Sequence, residues 1–98
     1  MKLITLSNNL LKHMVRSYSE NHEKLFYFDQ FKTLYPDLED DFISDALYLL
    51  QHDGFIQVQS ADDVAYYTVL KVNAVRDAEE NTFLKKGYTV LKEIRSWI

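Results

Sequence analysis

The chain has 98 residues, of which 47% are apolar and 14% aromatic, and it carries a formal charge of −4. That length fits one domain over residues 1–98 with a single modest core, and the composition excludes a disordered or fibrous chain. A pI near 5.2 disfavours general attraction to nucleic acid or anionic lipid, and the lack of cysteine excludes disulfides and thiolate metal sites.

Met1 to Leu6 opens the chain on a mostly apolar run. Ser7-Asn8-Asn9 breaks it too soon for the core of a signal peptide, and no stretch approaches the roughly 18 apolar residues of a membrane span. We therefore expect a cytoplasmic protein with no membrane partner, which suits a cysteine-free chain. Ser7 is placed to cap a first helix over residues 8–19, in which Leu10, Leu11, Met14, Val15 and Tyr18 recur at helical spacing; Leu3 and Leu6 extend the stripe toward an earlier start. Lys12, His13 and Arg16 fall on the opposite face. A polar loop leads to Leu25-Phe26-Tyr27-Phe28, a run with the length of a strand. Asp29 then caps a short second helix over residues 30–34, and Pro36 ends it.

Asp37 is the predicted N-cap of a third helix over residues 38–52, with Phe42, Ile43, Ala46, Leu47, Leu49 and Leu50 on one apolar face. Asp53-Gly54 marks its stop, with Gly54 in the left-handed conformation. Residues 55–59 and 64–72 read as two strands joined by a turn at residues 60–63, which makes a hairpin. Residues 73–81 read as a polar loop with room for one helical turn. A last helix follows over residues 82–97, with Gly87 inside its apolar stripe.

Charge divides this chain unevenly. Residues 33–70 contain eight acids and no lysine or arginine, a formal charge of −8. Five basic and three acidic residues precede the window and six basic and four acidic residues follow it, +2 on each side.

The order of helix, short strand, short helix, longer helix, hairpin and helix resembles the winged helix-turn-helix superfamily. Two segments carry the resemblance. In Ser44-Asp45-Ala46-Leu47-Tyr48-Leu49-Leu50-Gln51-His52-Asp53-Gly54-Phe55-Ile56, a helix ending in paired leucines meets an Asp-Gly turn and then an aromatic and a β-branched residue. This is similar to the superfamily's junction between recognition helix and wing. Asn81-Thr82-Phe83-Leu84-Lys85-Lys86-Gly87-Tyr88-Thr89-Val90-Leu91 is similar to the opening of the helix that follows the wing in many such regulators. The resemblance implies an α+β, mainly α fold: a three-helix core, a β-hairpin wing and an extra C-terminal helix.

It also implies that the third helix is the recognition helix. Its outward stripe at helical spacing is Asp41, Ser44, Asp45, Tyr48 and His52, and the wing tip is Asp62-Asp63. Duplex binders supply Arg, Lys, Asn and Gln at these places, and their affinity comes largely from cations that release counterions. This surface has acids instead. Asp37, Glu39 and Asp40 suit the first turn of a helix, where the dipole favours carboxylates. Asp41, Asp45, Asp62 and Asp63 lie off those positions and read as a surface for a basic protein partner. The alternative is a DNA-binding regulator that docks through Lys12, Arg16, Lys85, Lys86, Lys92 and Arg95.

The aromatic group Phe26, Tyr27, Phe28, Phe31 and Tyr35 reads as core, and at least one of Tyr66 and Tyr67 must face solvent on a regular strand. His13, His22 and His52 fall on separate elements without metal-ligand spacing. No phosphate loop, nucleophile elbow or cofactor motif stands out, so a non-enzymatic module is expected. Phe83, Leu84, Tyr88, Leu91, Ile94, Trp97 and Ile98 give the last helix a broad apolar face. That face suits either packing on the first helix or a homodimer, and the resemblance favours dimerisation through terminal helices.

Overall fold

The computed structural model describes residues 1–80; the predicted last helix over residues 82–97, with its candidate dimerisation and DNA-contacting residues, lies outside them. The fold is α+β and mainly helical. In chain order it comprises α1 (Leu3–Asn21), β1 (Leu25–Tyr27), α2 (Phe28–Leu34), α3 (Asp40–His52), β2 (Ile56–Ala61), β3 (Val64–Leu70) and α4 (Val72–Glu80).

The first helix starts five residues earlier than Ser7 alone predicts, because Leu3 and Leu6 continue its apolar stripe. Ser7 is consequently inside the helix and 1% exposed, and its hydroxyl donates to the Ile4 carbonyl at 2.9 Å. The helix ends where His22 turns left-handed, at φ 57°, and donates its N–H to the Tyr18 carbonyl at 2.8 Å. Its apolar face supplies Leu6, Leu10, Leu11, Met14 and Val15 to the core. His13 departs from the expected polar face. It is half-buried, with its ring 6.3 Å from Phe26 and 6.4 Å from Phe31.

The second helix begins at Phe28, so Asp29 lies in its first turn instead of capping it. A tight turn follows, in which Leu38 donates its N–H to the Tyr35 carbonyl at 3.2 Å across Pro36. That turn uses Asp37 and Leu38, which is why α3 starts at Asp40 with Glu39 as N-cap and not at Leu38 with Asp37 as N-cap. Asp40 and Asp41 both lie in its first turn. The far end of α3 follows its prediction. Gly54 at φ 87° donates to the Gln51 carbonyl and Phe55 donates to the Leu50 carbonyl, a Schellman cap. Phe55 belongs to that cap, and the strand starts one residue later.

The three strands form one antiparallel sheet in the order β1-β3-β2. Its inner face brings Phe26, Ile56, Val58, Ala65 and Leu70 against α1 and α3. Full burial of a side chain such as Phe26 or Ile56 contributes about 2 kcal/mol, so this interlayer dominates stability. Residues 72–80 form a helix where a polar loop is expected. Ala74 and Val75 are buried against the core, and this short apolar patch is what holds α4 in place.

One core residue is anomalous. Thr68 on the central strand is 0% exposed, and its hydroxyl has no hydrogen-bond partner among the described residues. Replacing Thr68 with valine keeps the shape and removes a buried polar atom. It should stabilise the fold by about 1 kcal/mol, raising Tm by about 4–8 °C for a domain of this size. A thermal melt showing a lower Tm would mean that the hydroxyl is engaged.

Candidate functional site

One line of side chains on α3 faces the hairpin. Ser44, Tyr48 and Gln51 stand at i, i+4 and i+7, and each makes a hydrogen bond across the gap. The Ala65 N–H donates to the Ser44 hydroxyl at 3.1 Å, and the Val58 N–H donates to the Gln51 side-chain Oε1 at 2.6 Å. The Tyr48 and Ser60 hydroxyls lie 2.5 Å apart. The expected outward stripe is thereby split. Ser44 is 3% exposed and structural, which corrects its placement on a partner-facing surface. Tyr48 is half-buried and tied to the hairpin, whereas Asp41, Asp45 and His52 on its exposed flank remain open to solvent.

The Ser44 bond has a cause in β3. Gln59 pairs with Tyr67 and Ala61 with Val64, so Ser60 alone lies opposite Ala65 and Tyr66. This bulge leaves the Ala65 N–H outside the ladder, and Ser44 satisfies it. It also shifts the alternation of the strand. Ala65 and Thr68 both point inward, while Tyr66 and Tyr67 both lie outside the core, where a regular strand would place only one of them.

Tyr27, the register partner of Tyr67, joins them. The three rings pack edge to face, with centroids 5.9 Å apart for Tyr27–Tyr66, 6.3 Å for Tyr27–Tyr67 and 6.1 Å for Tyr66–Tyr67. The expected aromatic core is therefore divided. Phe26, Phe28 and Phe31 are buried and Tyr35 packs against the edge of the core, but Tyr27 is 46% exposed. Period-two alternation from Phe26 would have turned Tyr27 outward; the bulge has no signature in the sequence.

The acids share one property. All eight carboxylates of residues 33–70 are exposed: Asp37, Glu39, Asp40, Asp41, Asp45, Asp53, Asp62 and Asp63. Asp40 pairs with Lys32 at 3.1 Å, and the same ammonium donates to the Leu38 carbonyl, which ties α2 to the start of α3. Asp62 and Asp63 occupy the two turn positions of the hairpin at φ 54° and 65°, a two-residue turn of the type I′ hand. Asp tolerates that conformation, which is a local reason for these residues beside any role with a partner.

A cleft of about 730 Å³ lies between the start of α2, the start of α3 and the hairpin tip, and Tyr27, Tyr66, Asp29, Asp40 and Asp62 are among its walls. It brings Asp62 into one site with residues that sequence reasoning assigned to capping or core. Of the alternative cationic set, Lys12 is half-buried and Arg16 exposed on α1; Lys85, Lys86, Lys92 and Arg95 lie outside the described residues, as do Phe83, Leu84, Tyr88, Leu91, Ile94, Trp97 and Ile98. Among the described residues no group of three His, Asp or Glu side chains is placed to hold a metal ion, and no helix is long and apolar enough to cross a membrane.

Two substitutions separate structure from surface on α3. Ser44→Ala strands a buried N–H and should cost about 1–3 kcal/mol, while Asp45→Ala should change stability by less than about 0.5 kcal/mol. Equal effects in urea melts would contradict this division. At the hairpin tip, Asp62→Asn with Asp63→Gly supplies the residues that the turn prefers. It should stabilise the fold by about 1 kcal/mol, and a loss would argue against the left-handed turn.

No family model, curated protein or solved structure matches the chain.

Proposed function

We propose that the chain is a winged helix-turn-helix module that works without catalysis, presenting the outer side of α3 and the hairpin tip to a basic protein partner. The order of elements and the pairing of β1 with the second strand of the hairpin support the winged-helix reading. In it α3 takes the place of the recognition helix and β2–β3 that of the wing.

The observation that carries the partner's chemistry is the exposure of all eight acids in a segment with no lysine or arginine. On a duplex, α3 and the wing would set these carboxylates against phosphates, and each such approach is repulsive. The same field attracts lysine and arginine on a protein surface and raises the rate of encounter. Charge at such an exposed rim acts mostly on association rate and salt dependence, so the complex should weaken as ionic strength rises.

The test compares the wild type with Asp41→Lys plus Asp45→Lys. The double reversal removes one favourable first-turn charge, so its stability should fall by no more than about 1 kcal/mol. Basic proteins that the wild type retains from a cell lysate should be lost by the variant. Neither should be true of random duplex DNA at about 50 mM salt, which the wild type should not bind. Duplex binding by the wild type that falls steeply with salt would replace this reading with the DNA-binding one.

A further inference from the structure

We propose that the cleft beside the hairpin tip receives an arginine side chain of the basic partner, held between the rings of Tyr27 and Tyr66 and the carboxylates of Asp29 and Asp62. The proposal rests on the protein-binding reading and names where on that surface the partner is anchored.

Three observations converge on this occupant. The first is the shape of the cleft. Its walls come from three separated stretches of chain, β1 with the start of α2, the start of α3, and the hairpin tip with the start of β3. The cleft is half open to solvent and offers about 730 Å³, room for a side chain to enter from outside.

The second is charge. Three carboxylates, Asp29, Asp40 and Asp62, share the lining with one ammonium, Lys32. Lys32 is already engaged by Asp40 and by the Leu38 carbonyl. Asp29 and Asp62 are exposed, and among the described residues their carboxylates have no hydrogen-bond or ion-pair partner. An anion entering the cleft meets net repulsion, and a cation meets two free carboxylates.

The third is the aromatic wall. Tyr27 and Tyr66 are 46% and 47% exposed, and the bulge at Ala65 and Tyr66 is what turns the second ring outward beside the first. A tyrosine face carries negative potential and attracts cations, and a planar guanidinium both stacks on it and bonds a carboxylate in its own plane. Arginine meets both walls at once; the smaller, more strongly hydrated ammonium of lysine meets the carboxylates alone. The choice of arginine over lysine is therefore the signature of this site.

The probes are fluorescein-labelled hexa-arginine and hexa-lysine peptides, titrated by anisotropy into the full chain at about 50 mM salt, with a thermal melt on each variant. Hexa-arginine should bind the wild type more tightly than hexa-lysine. Tyr66→Leu keeps apolar bulk but removes the π face, and it should weaken hexa-arginine about fivefold while moving hexa-lysine little. Asp62→Asn keeps the shape and the left-handed conformation and should weaken both peptides, so it reads the site even where Tyr66→Leu lowers the Tm. Asp41→Asn plus Asp45→Asn should weaken hexa-arginine by less than Tyr66→Leu does. If that pair lowers affinity and the cleft variants do not, the arginine site is overturned and the acidic-surface reading survives. If the wild type binds neither peptide, both fall. Binding of oligo-deoxythymidine in preference to the peptides would overturn the proposal by making the tyrosines a platform for bases.

Discussion

The hydrogen-bonded line from α3 to the hairpin is the constraint on which the surface depends. A hairpin alone is marginal in water, and a bulged strand leaves a backbone donor without a ladder partner. Ser44 takes that donor, Gln51 takes the N–H of Val58 on the edge strand, and Tyr48 reaches Ser60 near the turn. The helix and the hairpin are thus held in one orientation by directional bonds as well as by apolar packing. Because three positions on α3 are committed to this seam, the helix has no rotational freedom. Asp41 and Asp45 are left exposed to solvent.

The sheet edges are treated in a related way. β1 and β2 are the outer strands, and each has an outward N–H taken by a glutamine from a neighbouring helix: Tyr27 by Gln30 at 2.6 Å and Val58 by Gln51. Occupied donors discourage pairing with a further strand. The tyrosines on the outer face then offer contact area without an open backbone edge.

The concentration of carboxylates has an energetic cost of its own. Eight exposed acids within one segment repel one another, and the repulsion is only partly screened at physiological salt. Part of it is offset locally. Asp40 and Asp41 lie in the first turn of α3, where the helix dipole favours them, and Lys32 neutralises Asp40. Asp62 and Asp63 satisfy a left-handed turn, yet asparagine and glycine would do so without charge. Turn geometry does not require these two charges, and Asp45 serves neither capping nor a turn. Under the proposed reading, these are the residues that a basic partner would meet.

Local signals along the chain are enough to define most of its elements. The apolar stripe of α1, the aromatic strand, the proline that ends α2, the broad face of α3, the Asp-Gly stop and the hairpin are all readable, because period, capping and turn chemistry act within a few residues. The net charge of −8 over residues 33–70 is likewise a property of the sequence alone. The remainder depends on how these elements pack together. Ser7 and Ser44 look like cap and surface residues, yet they lie inside because a short hydroxyl is equally at home wherever a backbone group needs a partner. The helix over residues 72–80 depends on a docking site for Ala74 and Val75 that no local signal reveals. The pairing of Tyr27 with Tyr66 depends on a bulge, and a bulge is set by which residues the partner strand and the helix beneath can satisfy. Sequence therefore specified which groups face water in kind, and packing specified which of them stand together.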